Sequence, residues 1–267
     1  MKDKLSRRVA IKTTAAASIG IASGAFGDPK GSTKDLIREE NAKKGTRDWR
    51  LTNTKTVPGK INKILDNGRS KAIEGYCNAN SLRVGEKLKI MVSVNPASNF
   101  KLEIFRTGYY GGKGARLMKS FDSIMAGTQP DPPIGENYVR ECQWEPTVEM
   151  EIPQSWPSGV YLGKMTAERS GIQSYIIFIV RDDRPCGFLF QCSDLTWSAY
   201  NRWPADYSIY TPHEKGHSTT GVPSGTVSFD RPYGLFTHPV DKMKKSGGSG
   251  EYLPCEFPLA FWMEKEG

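Results

Sequence analysis

The 267-residue chain is 37% hydrophobic and 10% aromatic, which supports a packed core and excludes a disordered or low-complexity protein. Its formal net charge is +8, but five basic side chains (Lys2, Lys4, Arg7, Arg8, Lys12) against one acid (Asp3) fall in the first 25 residues, so the remainder carries +4. That remainder scatters its Lys and Arg among acids rather than striping them along one face, which argues against a nucleic-acid partner. No segment approaches the ~20 apolar residues of a transmembrane span.

Residues 1–25 read as an export signal, with a basic head, a weakly apolar stretch from Val9 and small residues at Ser23 and Ala25. Ser6, Arg7 and Arg8 with Lys12 resemble a twin-arginine signal, so the expected location is periplasmic or secreted. The five cysteines include no C-x-x-C pair and are odd in number, so most read as small buried hydrophobes. An oxidising compartment leaves open one disulfide between Cys77 and Cys142.

Residues 26–71 form a charged lead-in, broken by Pro29, Pro58 and several glycines, with a helical candidate over 33–44. From residue 72 the apolar period becomes two: Leu88, Ile90, Val92 and Val94 share one face, as do Leu102 and Ile104. Further strands are predicted at 148–152, 160–167 and 175–180, separated by turn residues at 157–159 and 169–171. About six or seven short strands in some 110 residues is the spacing of an immunoglobulin-like β-sandwich, placed at 72–182.

The stretch RDDRP (181–185) marks a boundary, because it is charged and ends in a proline that a central ladder cannot accept. CGFLFQC (186–192) follows as a continuous apolar run, the pattern of a strand covered on both faces in an α/β sheet. The final stretch, with Pro258 near its first turn and Gly267 at its end, reads as a capped helix. Residues 183–267 thus hold too few elements to close a parallel sheet, and the expectation is an incomplete α/β domain.

Several motifs carry chemistry only on paper. GYYGGKGARL (108–117) has the wrong spacing for a phosphate loop and follows a period-two strand, so a glycine-rich hairpin with packed Tyr109 and Tyr110 is expected. HEKGH (213–217) matches H-E-x-x-H, but Pro212 and Gly216 deny it the helix that would bring both histidines to zinc. No G-x-S-x-G elbow occurs. Cys192 with His238 lacks a third group to orient the pair and reads as a buried thiol beside a surface imidazole. Tyr200, Tyr207, Tyr210 and Tyr233 fall in segments that would follow the first strand of the second domain, where ligands of open α/β folds bind.

YCNANSLRVGEKLKIMVS, LEIFRTGYYGGKGARL, PSGVYLGKM, FIVRDD, TWSAYNRWPADYSIY and FDRPY, in that order over residues 73–267, resemble the large subunit of N,N-dimethylformamidase and its relatives. The resemblance implies an immunoglobulin-like sandwich joined to an α/β domain of glutamine-amidotransferase type, with mononuclear iron held by two tyrosines and a glutamate. It implies hydrolysis of the C–N bond of a small, non-peptide amide. By motif the metal-binding tyrosines would be Tyr200 of AYN and Tyr233 of RPY, with Trp197, Asn201 and Trp203 around the substrate.

The glutamate belongs to an H-x-E-Y-W stretch that this sequence does not contain, so the third ligand is missing here, the active site is expected to be incomplete and this portion of the protein inactive. Glu251 is a superficial substitute without the preceding histidine. The chain also departs from the family at 203–206, where WPAD stands for the usual WGG and Pro204 fixes a φ that glycine would leave free. Phenolate and carboxylate oxygens are hard donors suited to ferric iron, and such a Lewis acid would replace the missing serine or cysteine nucleophile. The other reading is a secreted, non-catalytic binding or scaffold protein built on the sandwich. Self-association is left open by the sequence.

Overall fold

Alternating burial sets the strands. The computed structural model describes residues 33–55, 69–205, 207–210, 225–235 and 246–267. The export signal, the HEKGH stretch and His238 lie outside the described residues. Eight strands occur among the described residues: β1 (Ile73–Cys77), β2 (Ser81–Leu82), β3 (Lys87–Val94), β4 (Ser98–Thr107), β5 (Ala115–Ala126), β6 (Val148–Glu151), β7 (Gly159–Ala167) and β8 (Gln173–Val180). They form a three-stranded sheet, ordered β1-β3-β6, and a five-stranded sheet, ordered β2-β8-β7-β4-β5. Every pairing is antiparallel except the two-residue contact of β2 with β8.

The two sheets face each other in a sandwich-like arrangement. Leu88, Ile90, Val92 and Val94 point inward as their spacing predicts, and meet Phe100, Leu102 and Ile104 of β4, Met165 of β7 and Ile176 and Phe178 of β8. Each large aliphatic side chain buried in this way contributes roughly 1.5–3 kcal/mol. Tyr161 lies in the same core, its ring stacked between Trp156 at 4.9 Å and Phe178 at 5.3 Å. Its hydroxyl donates to the Pro157 carbonyl at 2.6 Å, which removes the cost of burying it.

Cys77 and Cys142 are free thiols. Cys77 points from β1 into the sandwich core, whereas Cys142 belongs to a cluster with Tyr76, Met91, Trp144 and Trp203 on the other face of the small sheet. Period two along β1 puts residues 76 and 77 on opposite faces, so the disulfide left open by the sequence does not form.

The large sheet is covered on its outer side as well over β7, β8 and the end of β4. Phe105, Val160, Leu162, Tyr175 and Ile177 point outward beneath Trp49, Cys192, Trp197 and Tyr252. This second cover explains the unbroken apolar run of β8. The covering layer comprises a short helix α2 (Asp194–Tyr200), a π-helical turn (Tyr252–Glu256) and the final helix α3 (Phe257–Glu266). The GGSG stretch lies directly on β8: the Tyr175 N–H donates to Gly247 at 2.7 Å. A side chain at Gly248, where φ is +97°, would meet the Tyr175 carbonyl at 2.6 Å, so only glycine fits.

The run 186–192 is not the covered strand that its composition predicts. It forms no strand, and Phe188 and Leu189 are 85% and 83% exposed. Among the described residues no strand offers it a ladder, because the last backbone bond at that edge, Arg181 N–H to Leu82, precedes it. Only Phe190 and Cys192 tuck under the covering layer.

One buried network latches the chain's ends to the sandwich. Arg106 on β4 is fully buried and forks onto Glu264 of α3 at 2.6 and 2.9 Å. Asn41, near the end of helix α1 (Thr33–Ala42), donates to the same carboxylate at 2.7 Å and accepts from the Tyr109 and Tyr110 amides. Those tyrosines sit in the β4–β5 hairpin expected from GYYGGKGARL, with Tyr110 buried and Tyr109 edge-on to Phe261.

Candidate functional site

The residues singled out in TWSAYNRW run from one outer face of the sandwich to the other. Trp197 of α2 is 3% exposed and lies in the layer over the large sheet, its indole N–H donating to Glu256 at 2.8 Å. Six residues on, Trp203 is completely buried over the small sheet. Its N–H donates to Glu74 at 2.8 Å, its ring meets Trp144 edge-on at 6.0 Å, and the Arg69 guanidinium lies 4.8 Å from its centroid. Arg69 in turn forks onto Glu74 and Asp131. The two tryptophans therefore pin both ends of a segment that crosses the sandwich edge.

Helix α2 ends at Tyr200, because Asn201 turns extended with φ −62° and ψ 119°. The Asn201 side chain then reaches a distant segment. Its amide donates to the Pro232 carbonyl at 2.9 Å, and its oxygen accepts from the amides of Trp203 at 3.2 Å and Gly234 at 3.3 Å. Tyr233 lies between Pro232 and Gly234, so the asparagine next to Tyr200 grips the chain on both sides of Tyr233. The two tyrosines named from the sequence thus belong to adjoining, hydrogen-bonded segments.

Their surroundings differ. Tyr200 is half-buried, its ring 4.9 Å from that of Tyr210. Burial pushes the Tyr233 phenol above its ordinary pKa, Asp194 adds to that rise, and Arg231 opposes it. The neutral phenol is its resting form at neutral pH. The phenol oxygens are hard donors, right in kind for a trivalent cation. Among the described residues no group of three or more His, Cys, Asp or Glu side chains stands ready to hold a metal.

Three further residues define the neighbourhood. Arg231, 2% exposed, sends its guanidinium back into the 198–207 segment, bonding carbonyls there at 2.8–3.1 Å. Glu256 accepts from the Ser193 amide and the Trp197 indole with one oxygen. Glu251, five residues earlier, is pushed up to about 7 by burial and by Glu256 beside it. Glu251 thus sits with a second carboxylate over the large sheet.

Burial and the nearby Glu256 push the Cys192 thiol up to about 12, which disfavours the nucleophilic thiolate. Trp197, Asn201 and Trp203, named as pocket residues, are 3%, 8% and 0% exposed and contact protein, so they set the shape of the segment from beneath. Sequence reasoning gave Arg231 no role. Its one visible signal was an arginine between an aspartate and a proline inside a motif already singled out for its tyrosine.

Comparison with known proteins follows the same residues. No curated protein matches the chain. Among solved structures, an uncharacterized protein from Bacillus anthracis str. Ames is 14% identical, with a TM-score of 0.26 over 40% of this chain and 80% of that one. A Pseudomonas fluorescens alkylpurine DNA glycosylase, AlkC, bound to DNA with an abasic site analog, is 13% identical, with a TM-score of 0.24 over 42% of this chain and 31% of that one. Neither likeness reaches the level at which a shared fold is established. The family model described as "N,N-dimethylformamidase beta subunit-like, C-terminal" matches residues 101–267, from β4 through α3 and across both tyrosine segments. The chain belongs to the N,N-dimethylformamidase beta subunit-like family.

Proposed function

We propose that the protein is an exported, metal-dependent amide hydrolase, with Tyr200 and Tyr233 as two ligands of a mononuclear iron. The observation that carries this reading is the side chain of Asn201, which binds the backbone on both sides of Tyr233 from the position next to Tyr200. Two phenols spaced by a fixed backbone clamp suit one hard cation, whereas freely moving loops would lose affinity to the cost of ordering them.

The two phenols would hold iron, with a carboxylate as the third ligand, and iron would supply Lewis acidity toward an amide carbonyl and toward water. The chain's own residues provide the frame. Trp197 and Trp203 fix the ends of the Tyr200 segment, and Asn201 sets its spacing to Tyr233. Tyr233, itself half-buried, packs against the layer over the large sheet, which would limit solvent on that side. The substrate class is a small N-substituted amide, and export would run through the twin-arginine-like residues 1–25.

The test is hydrolysis of a panel of small N-substituted amides by ferric-iron-loaded protein that includes the H-x-E-Y-W segment this sequence lacks. Release of amine that depends on iron and is lost in both Tyr200→Phe and Tyr233→Phe supports the reading. A folded, iron-loaded protein with no hydrolysis of any member of the panel would favour the binding or scaffold role instead.

A further inference from the structure

The guanidinium of Arg231 is fully used. Nε donates to Ser228 at 3.1 Å, one terminal nitrogen to Trp203 at 2.8 Å and Tyr207 at 3.1 Å, and the other to Ser198 and Asn201, both at 3.0 Å. All five acceptors are backbone carbonyls, and among the described residues no carboxylate pairs with Arg231. Burying an unpaired charge is costly, and an apolar side chain of similar volume would avoid that cost.

The arginine does something that an apolar residue cannot. Residues 201–205 and 207–210 form no helix or strand, so their buried carbonyls lack the partners that secondary structure provides. Four of the five bonds serve the 198–207 stretch. A lysine has three donors on a tetrahedral nitrogen and cannot present the planar fork that reaches both sides at once.

The arrangement is reciprocal. Arg231 holds the backbone around Tyr200, and Asn201 holds the backbone around Tyr233. Each segment is therefore fixed by a side chain from the other, immediately beside the residue of interest.

We propose that Arg231, with Asn201 as its counterpart, is the positioning residue of the tyrosine pair, fixing the spacing of Tyr200 and Tyr233. This rests on the reading of that pair as metal ligands. Neither residue contacts the metal itself: the lock preorganises the two phenols, as outer-shell groups do in metal sites generally.

The experiment compares wild type with Arg231→Lys, which keeps the charge and loses the fork, and with Asn201→Ala, which breaks the lock from the other side and removes no buried charge. Amide hydrogen exchange of the metal-free proteins should accelerate across 198–207 and 228–234 while β3, β4, β7 and β8 keep their protection. Titration with ferric iron alone should show affinity lower by about 10–100-fold, with an altered tyrosinate absorption band.

Unchanged exchange in both variants would overturn the lock. Wild-type iron affinity in both variants, despite faster exchange, would overturn the positioning role while leaving the ligand reading intact. A wild-type protein that takes up no iron even with the missing H-x-E-Y-W segment included refutes the ligand reading itself. Asn201→Ala decides between these outcomes if Arg231→Lys unfolds.

Discussion

Removing the Trp203 side chain should free the segment that crosses the sandwich edge. The indole is completely buried against Trp144 and Arg69, and its N–H satisfies a Glu74 oxygen that is itself inside the protein. Trp203→Ala loses both transfer energy and packing, about 3–5 kcal/mol in total. Trp203→Phe keeps an aromatic ring but leaves that oxygen only its 3.1 Å contact with Arg69, at a cost of about 1–3 kcal/mol. Urea denaturation followed by tryptophan fluorescence and far-UV circular dichroism measures both, with an unchanged m-value required for the comparison. Limited proteolysis should also find a new cleavage site within 201–210 in the alanine variant. A Trp203→Ala protein within 1 kcal/mol of wild type, uncut in that segment, would refute the pinning role.

Other consequences follow from the buried charges and thiols. Glu251, pushed up to about 7 from an ordinary value of 4.5, binds a proton more tightly in the folded state. Its contribution to stability is therefore complete below about pH 4.5 and lost as pH rises through 7. Melting curves between pH 5 and 8 should show that decline reduced in Glu251→Gln, and parallel curves would contradict it. Glu264→Ala strands the fully buried Arg106 and should cost about 3–5 kcal/mol, whereas replacing both with methionine should recover most of the loss; chemical denaturation of the three variants decides. Cys186 is exposed and should react with a thiol reagent in the native protein, while Cys77 and Cys142 should react only on unfolding. A native mass two hydrogens light would show instead that those two thiols have paired.

The sandwich was legible because period two is a direct imprint of a half-buried strand. Leu88 to Val94 and Leu102 to Ile104 lie on the faces their spacing assigns. The strand at 175–180 was also read correctly, as β8, but not the partner that covers its outer face. The apolar run of β8 is covered on its outer side by Trp197, Tyr252 and α3, and a sequence does not say which distant segment will supply such a cover. The run 186–192 looked like a strand for the same reason in reverse: apolar composition without a neighbouring edge leaves Phe188 and Leu189 in solvent.

At the site, Tyr200 and Tyr233 were identified from motif resemblance, and the structure adds the connection between them. Asn201, named as a pocket residue, also bonds the backbone around Tyr233. The role of Arg231 was not legible because its five partners are main-chain carbonyls, which carry no signature in sequence.

The most direct measurement is iron content and visible absorption of ferric-loaded protein that includes the missing H-x-E-Y-W segment, beside its Tyr200→Phe, Tyr233→Phe and double variants. Tyrosinate ligation predicts one iron per chain and a visible charge-transfer band, weakened and shifted in each single variant and absent from the double. A folded wild-type protein that stays colourless and iron-free, or a band that survives in the double variant, would contradict the assignment of these two tyrosines as metal ligands.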